Sequence, residues 1–198
     1  MTDQQTLRRH LKQARRRLAP EAVAQAQRSA LHQLQHLPEF RRARRIAGYV
    51  GSNGEIDPMP LLIAAAEQGK HVYLPVLHPL RPGRLWFCRW RPGQAMTLNR
   101  YGIPEPARHR GHLLPARRLE LVIAPLLGFD CACHRLGMGG GYYDRTFSFL
   151  HQHRHIHRPR LIGLAYELQC VESLDPQPWD VRLDAAITEN RIYRRDDA

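Results

Sequence analysis

The stretch IAGYVGSNGEIDPMPLLIAAA, residues 46–66, contains a strand, a loop and a helix in succession and decides the fold class. Its first five residues form a short apolar run that is typical of a buried strand. Asp57 is suited to cap a helix and Pro58 to occupy the first helical position, so we predict a helix through Ala66 that stops at Gly69. A buried strand that leads directly into a helix indicates a layered α/β domain.

Strands and helices alternate on both sides of this unit. Leucines recur at helical spacing within residues 6–18, and arginines, Arg15 among them, are predicted on the other faces. A second helix is predicted from Pro20 to the break at Pro38. Further along, the patterns predict a surface loop at 99–118, a helix at 143–151, and strands at 71–77, 85–90, 119–127, 161–165 and 185–188. We expect Pro125 to mark a bend or the end of its strand.

The alternation predicts a single α/β domain over residues 1–198 with a largely parallel sheet. With 43% hydrophobic and 24% charged residues, the composition is that of a globular chain and not of a disordered one. No apolar run approaches the roughly 18 to 20 residues of a membrane span. The N-terminal segment lacks the apolar stretch of a secretory signal, so we expect a cytoplasmic protein.

The net charge is strongly positive, with 30 basic and 18 acidic residues giving +12. Such a surface attracts polyanions, which include nucleic acids, nucleotides and polycarboxylate substrates. Only Lys12 and Lys70 are lysines, so the other 28 of the 30 basic residues are arginines, and these are spread along the chain. Taken alone, the charge is explained most simply by a solvated basic surface.

The cysteine and histidine patterns give little support to a metal centre. Four cysteines occur without a C-x2-C pair, which favours free thiols over a structural zinc site. Alternating histidines at 151–157 lie among arginines, so an exposed loop is favoured over a metal site. The arginines at 41–45 are similar to a nuclear-localisation patch, but a solvated helix end is the simpler interpretation. The cysteines are Cys88, Cys131, Cys133 and Cys170.

The glycine-rich stretch RLGMGGGYYD, residues 135–144, follows a predicted strand and precedes a helix. Backbone amides in such a loop can surround a phosphate. The stretch is not a Walker A loop, because no Gly-Lys-Ser/Thr ends it, and Tyr142 breaks the G-x-G-x-x-G pattern. Glycines alone also form plain turns. Arg135 and Asp144 favour a phosphate site, because a guanidinium can clamp phosphate oxygens and a carboxylate can bind Mg²⁺.

Several ordered blocks of the chain resemble the 5-formyltetrahydrofolate cyclo-ligases, also called 5,10-methenyltetrahydrofolate synthetases. The RLGMGGGYYDR block is the most specific of them, and together they extend over almost the whole chain. The blocks are Leu7-Arg8, GEID at 54–57, YGIPEP at 101–106, LLGFD at 126–130, RLGMGGGYYDR at 135–145, IGLA at 162–165, WDVRLD at 179–184 and Thr188-Glu189.

The resemblance implies an enzyme that uses ATP to cyclise 5-formyltetrahydrofolate to 5,10-methenyltetrahydrofolate and releases ADP and phosphate. Transfer of the γ-phosphoryl group to the formyl oxygen would turn that oxygen into a good leaving group. It also implies Mg²⁺ and a three-layer α/β/α sheet related to the sugar-phosphate isomerase and CoA-transferase-like folds. The basic surface suits ATP and the poly-γ-glutamate tail of cellular folates, whereas no specific nucleic acid or membrane partner is expected.

The family's functional residues can be transferred position by position onto this sequence. The implied metal acids are Asp144 and Asp184. The implied ATP contacts are Arg8, Arg135, Leu136, Gly137, Met138, Gly139, Gly140, Gly141, Tyr142 and Tyr143. The implied folate contacts are Ser52, Glu55, Asp57, Gly139, Tyr142 and Tyr143. Simpler roles stay open, because Asp57 can cap its helix, Glu55 can be solvated, and the tyrosines can belong to the core or to a gate.

One position departs from the family pattern. The family often has lysine four residues before the arginine that matches Arg8, and this chain has Gln4 there, which leaves Arg9 or Lys12 as substitutes. An inactive relative therefore stays open. So does a nucleic-acid-binding module built on the basic N-terminal helix, although that alternative does not explain the glycine-rich stretch. Trp86 and Trp90 are interpreted as packing residues.

Overall fold

The computed structural model describes residues 4–107, 113–151 and 159–195. Its helices are α1 (Gln4–Arg16), α2 (Pro20–His36), α3 (Pro38–Arg42), α4 (Met59–Glu67) and α5 (Tyr142–Phe147). Its strands are β1 (Arg45–Ala47), β2 (His71–Leu77), β3 (Leu85–Trp90), β4 (Met96–Leu98), β5 (Pro104–Pro106), β6 (Leu113–Leu114), β7 (Leu121–Ala124), β8 (Gly128–Asp130), β9 (Arg135–Leu136), β10 (Arg160–Leu164), β11 (Cys170–Val171), β12 (Ala185–Ile187) and β13 (Ile192–Arg194).

Eight strands form the main sheet in the order β13-β12-β10-β7-β1-β2-β3-β6. The five central strands are parallel, and β13, β3 and β6 pair with them or with each other in the antiparallel sense. The remaining strands form a three-stranded sheet, β11-β8-β9, and the hairpin β4-β5. The predicted α/β class with a largely parallel sheet is therefore confirmed.

Between β1 and β7 the connections between strands change direction along the sheet. From β1 the chain crosses through α4 to β2 on one side, whereas from β7 it continues to β10 on the other. In open α/β sheets a crevice forms outside the carboxyl ends of the strands at such a point. The topology therefore places the expected binding crevice beside the segments that follow β1 and β7.

The two faces of the sheet are covered by different layers. Helices α2, α3 and α4 pack on one face, where Leu34, Phe40 and Leu62 are buried. The other face is covered by α5 and the three-stranded sheet, with Phe129 and Phe147 in its core. Burying these apolar faces supplies the main driving force for folding.

Helix α1 lies against the three-stranded sheet, where Leu11 forms a small cluster with Leu127 and Leu136. Two residues at helical spacing, Leu11 and Arg15, are the buried residues of α1. The prediction that Arg15 lies on a face other than that of the leucines is therefore wrong. Within the described ranges the longest helix, α2, has 17 residues, and none has both the length and the apolarity needed to cross a membrane.

The segment 99–118 differs most from its prediction as a surface loop. It contributes β5, β6 and a 3-10 helix at Ala116–Arg118. Glu105 is buried and accepts a hydrogen bond from the Leu77 backbone N–H, which ties the hairpin to β2. Strand β5 contains two prolines, which favoured a loop in the prediction. An edge strand tolerates proline, because the missing N–H donor is not needed there.

Other boundaries shift by a few residues. Strand β7 ends before Pro125, as predicted, but is shorter than 119–127. The predicted helix at 143–151 consists of α5 followed by a 3-10 helix at Ser148–His151. The predicted strand at 46–50 ends at Ala47. The histidine pattern at 151–157 falls mainly outside the described residues, which include only its first member.

Candidate active site

A cleft of about 990 Å³ opens at the carboxyl ends of the parallel strands, where the topology places the crevice. Its floor includes Tyr49 and Val50 after β1 and Pro125 after β7. The surrounding walls are α1, the loop 51–57, the β4-β5 hairpin, the glycine-rich loop 137–141 and the segment 174–180. Every segment that the sequence marked as chemical contributes residues to this one cleft, although Asp184 itself does not.

The glycine-rich loop needs glycine for its backbone path. Gly139 and Gly141 have φ values of +96° and +61°, which side-chain-bearing residues rarely adopt. A Cβ on Gly141 would also lie 2.7 Å from Arg145 Nη1. Helix α5 is only six residues long, so arginines and loop amides, more than a helix dipole, supply the positive potential here.

An ion pair between Arg135 and Asp144 closes the base of this loop. Arg135 donates from Nη2 to Asp144 Oδ1, and the side chains are only 4% and 18% exposed. The same carboxylate oxygen accepts the Val181 backbone N–H at 3.1 Å. The Arg135 guanidinium also lies 5.7 Å from the centre of the Tyr143 ring. These contacts hold a cation and a carboxylate side by side at the edge of the cleft.

Helix α1 brings a second arginine to the same loop. Arg8 donates from Nε to the Gly137 carbonyl at 3.0 Å and from Nη2 to Gln4 Oε1 at 3.0 Å. Gln4, Arg8 and Lys12 are spaced by four residues, lie on one helix face and all line the cleft. Between the substitutes considered for the missing lysine, Lys12 lines the cleft, whereas Arg9 is not among the lining residues.

The loop after β1 presents further polar groups to the cleft. Glu55 lines the cleft and accepts hydrogen bonds at Oε2 from the Ser52 backbone N–H and from Ser52 Oγ, at 3.1 and 3.2 Å. Asp57 is not among the lining residues. Its Oδ1 instead accepts the backbone N–H groups of Gly51 and Met59, both at 3.1 Å. The predicted capping role of Asp57 at the start of α4 is thus the one that its contacts support.

The two neighbouring tyrosines occupy different surroundings. The Tyr142 hydroxyl hydrogen-bonds to Tyr101 Oη and to Arg100 Nη2, both at 2.7 Å, which connects the β4-β5 hairpin to the glycine-rich loop. These hydrogen bonds, the one from Tyr101 above all, lower the pKa of Tyr142. The Tyr143 ring stacks on Phe147, and burial raises the pKa of its phenol.

Asp184 lies away from this cleft. It precedes β12, and its Oδ2 accepts the Leu161 backbone N–H at 2.8 Å at the amino end of β10. Its Oδ1 lies 3.0 Å from Arg160 Nη1 and 3.5 Å from Arg195 Nη2. The structure therefore does not bring Asp184 together with Asp144. It places Asp184 at the amino ends of the parallel strands β10 and β12, whereas the cleft lies at the carboxyl ends.

Some cleft residues were missed from the sequence. Tyr101, Trp179 and Asp180 line the cleft, and Trp179 is 64% exposed. Tyr101 belongs to the YGIPEP block, and Trp179 and Asp180 to the WDVRLD block. These residues could have been proposed from the sequence, because each is a polar or aromatic side chain inside a block that resembles the family.

The donors suit a magnesium ion that is held largely by a phosphate ligand. In the described part of the chain, no group of three or more histidine, cysteine, aspartate or glutamate side chains is arranged to hold a metal. Mg²⁺ is commonly bound by one or two carboxylates together with substrate phosphates and water. Asp144 is a carboxylate of this kind beside the glycine-rich loop, so the residues present fit such an ion.

Comparisons with known proteins agree with the motifs. The model of the 5-formyltetrahydrofolate cyclo-ligase family matches residues 1–189. The 5-formyltetrahydrofolate cyclo-ligase of Escherichia coli K12 is 37% identical over 183 residues, which is 92% of this chain and 98% of that protein. The Haemophilus influenzae protein of the same name is 38% identical over 179 residues, which is 90% of this chain and 94% of that protein.

A solved structure supports the same assignment. The NMR structure of the Aquifex aeolicus 5,10-methenyltetrahydrofolate synthetase superposes with a TM-score of 0.81 and 26% identity, and the match covers 98% of this chain and 94% of that one. A Mycoplasma pneumoniae 5,10-methenyltetrahydrofolate synthetase, 22% identical with a TM-score of 0.72, shares the fold. The resemblance predicted from the motifs is confirmed: the chain belongs to the 5-formyltetrahydrofolate cyclo-ligase family.

Proposed function

We propose that this protein catalyses the ATP-dependent cyclisation of 5-formyltetrahydrofolate to 5,10-methenyltetrahydrofolate, with release of ADP and phosphate, in the cleft described above. Membership of the family implies ATP as the co-substrate. The observation that carries the proposal is that the glycine-rich loop and the loop with Ser52 and Glu55 line one cleft. At about 990 Å³ the cleft is at the upper end of the range for small-molecule sites, about 300 to 1,000 Å³, which suits two substrates.

The triphosphate of ATP is assigned to the wall formed by α1 and the glycine-rich loop. Arg8 and Arg135 approach this loop from two elements, and Lys12 adds a third cation on the same side. A guanidinium can bind two phosphate oxygens at once, which fixes their orientation as well as their charge. When Mg²⁺ is bound, it would neutralise triphosphate charge, and Asp144 is the side chain positioned to ligate it.

The folate is assigned to the part of the cleft lined by Ser52 and Glu55. The Glu55 carboxylate can accept hydrogen bonds from N–H groups of a pterin ring, and Ser52 holds that carboxylate in place. Tyr142 and Tyr143 offer aromatic surface next to the glycine-rich loop. Asp57 and Asp184 are left out of this assignment, because their contacts are those of a helix cap and of a surface ion-pair cluster.

The reaction requires that the two substrates be aligned with each other, and it does not require a nucleophilic side chain. The formyl oxygen attacks the γ-phosphorus as the bond from that phosphorus to ADP breaks. Nitrogen N10 then attacks the activated formyl carbon, and the carbon–oxygen bond breaks to release phosphate, which carries away the N10 proton. The phosphoryl transfer is accelerated by holding the attacking and leaving oxygens in line and by compensating the charge on the phosphoryl oxygens, and the second step by holding N10 close to the formyl carbon.

The test is to mix the purified protein with 5-formyltetrahydrofolate, ATP and Mg²⁺ and to record the near-ultraviolet absorbance of the methenyl product. We expect absorbance to rise only when ATP is present, with one ADP formed for each product molecule. Folded protein that forms no product would refute the proposed function and would favour the inactive-relative interpretation.

We also propose that the substrate carries a poly-γ-glutamate tail, whose carboxylates are attracted by arginines at the mouth of the cleft. Arg84 and Arg145 line the cleft, and Arg100 lies exposed on the adjoining hairpin. At low salt we expect a KM several-fold lower for a triglutamate than for the monoglutamate, and at high salt the difference should disappear because exposed charges are screened. Equal KM values at every salt concentration would contradict this assignment.

A further inference from the structure

Arg15 is a buried cation that the mechanism above does not use. Its side chain is 0% exposed, although it belongs to a helix whose other arginines reach the surface or the cleft. None of its three guanidinium nitrogens has a hydrogen-bond partner within the described ranges. An arginine stays charged in proteins, and an unpaired buried charge is costly. The position of Arg15 therefore calls for a specific electrostatic partner.

That partner is Glu55, the carboxylate assigned to the folate wall. Arg15 Nη1 lies 3.9 Å from Glu55 Oε1, and the Glu55 side chain is 7% exposed. The other carboxylate oxygen, Oε2, is held by the backbone and hydroxyl of Ser52. Glu55 lines the cleft, whereas Arg15 is not among the lining residues. Arg15 therefore lies behind Glu55, on the side away from the ligand.

The other groups around this pair do not replace the positive charge of Arg15. Tyr49 is buried and donates its hydroxyl to the Ile56 carbonyl at 2.6 Å. The Tyr143 and Tyr166 hydroxyls are buried without a hydrogen-bond partner in the described part of the chain. Burial, with a smaller contribution from Asp57, raises the pKa of Glu55, and the charge of Arg15 and the Ser52 hydrogen bonds oppose this shift. Among these groups Arg15 alone is a cation.

We propose that Arg15 is a positioning residue for the reaction: its buried guanidinium keeps the Glu55 side chain ionised and turned toward the cleft, ready to accept hydrogen bonds from the folate. The inference rests on the proposed function, since it assigns Glu55 to the folate. Arg15 itself does not touch substrate in this arrangement. If Arg15 only stabilised the packing of α1 against the domain, its replacement would leave the protonation of Glu55 unchanged.

The kinetic test compares Arg15→Met, Glu55→Gln and the double variant over a pH series, with Arg17→Met at an exposed position beside the same helix as the control. In Arg15→Met we expect the KM for 5-formyltetrahydrofolate to rise about tenfold near neutral pH. Loss of the cation raises the pKa of Glu55, so the acidic limb of kcat/KM should move to higher pH. The double variant should be no worse than Glu55→Gln, because Arg15 acts through Glu55. Additive losses with an unmoved acidic limb would overturn the inference.

A second measurement does not depend on activity. The ¹³C shift of the Glu55 carboxyl carbon is titrated by NMR in the wild type and in Arg15→Met, with Arg15→Lys as a charge-retaining variant. We expect a higher Glu55 pKa in Arg15→Met and a smaller change in Arg15→Lys; an unchanged pKa in Arg15→Met would overturn the inference. If Arg15→Met does not fold, the uncharged variant Arg15→Gln is titrated instead, and an unchanged Glu55 pKa in that variant would overturn the inference. Wild-type protein without cyclo-ligase activity would refute the proposed function, while the titration would still report whether Arg15 controls Glu55.

Discussion

Replacing Asp144 with alanine is expected to lower kcat for methenyltetrahydrofolate formation by about a hundredfold or more, the scale seen when a preorganised electrostatic group is removed. The Asp144 carboxylate holds the Arg135 guanidinium and the Val181 backbone N–H. Alanine removes both contacts and the side chain proposed to ligate Mg²⁺. Product formation is measured by absorbance at saturating ATP and 5-formyltetrahydrofolate, after thermal melting has confirmed that the variant is folded.

Two further variants make this prediction specific. Asp144→Asn keeps an oxygen that can accept the Val181 N–H but loses the charge, so we expect a smaller loss of stability with a loss of kcat close to that of alanine. Glu67→Ala removes an exposed carboxylate at the end of α4 and should behave as the wild type. A folded Asp144→Ala variant with full kcat would show that this carboxylate has no part in the reaction.

Replacing Gly163 with valine is expected to destabilise the fold by about 3 kcal/mol, which is typical of overpacking a core. Gly163 lies on β10 beside Ala124 of β7 and Ala186 of β12. A Cβ there would lie 2.4 Å from Leu126 Cδ2 and 2.7 Å from Leu183 Cδ1. For a chain of this size the loss corresponds to a Tm lower by about 6 to 12 °C, measured by thermal unfolding.

A substitution at Leu126, the side chain that a Cβ on Gly163 would overlap, provides the control. Leu126→Ala alone should also destabilise the protein, because it leaves a cavity. In the double variant the valine methyl groups can occupy part of that space, so the combined loss should be less than the sum of the two single losses. A Gly163→Val variant that melts at the wild-type temperature would contradict the close approach of Leu126 and Leu183 to β10.

The backbone pattern and the glycine-rich stretch were predictable because each depends on local sequence. Strands such as β2 and β3 are rich in apolar and aromatic residues, and their pattern does not depend on distant partners. The left-handed backbone at Gly139 and Gly141 likewise requires glycine locally. These features predicted both the α/β class and the position of the loop.

Residues whose surroundings come from distant parts of the chain were not predictable in the same way. The residue type of Arg15 favours the surface, although its spacing from Leu11 places it on the buried face of α1. It lies beside Glu55 and Tyr166, which come from other parts of the chain. Asp184 belongs to a distinctive block, yet it lies at the amino ends of β10 and β12, away from the cleft that Asp144 lines. Strand β5 was not predicted, because its two prolines are unusual in a strand and its pairing with β4 is not visible in the local sequence.

The transfer of the formyl oxygen to phosphate tests the proposed chemistry most directly. 5-Formyltetrahydrofolate labelled with ¹⁸O in the formyl group is converted by the protein with unlabelled ATP and Mg²⁺ in ordinary water, and the inorganic phosphate is analysed by mass spectrometry. Attack of the formyl oxygen on the γ-phosphorus predicts one ¹⁸O atom in each phosphate formed. Unlabelled phosphate, with the label released to water, would contradict activation of the formyl oxygen by phosphoryl transfer in this cleft.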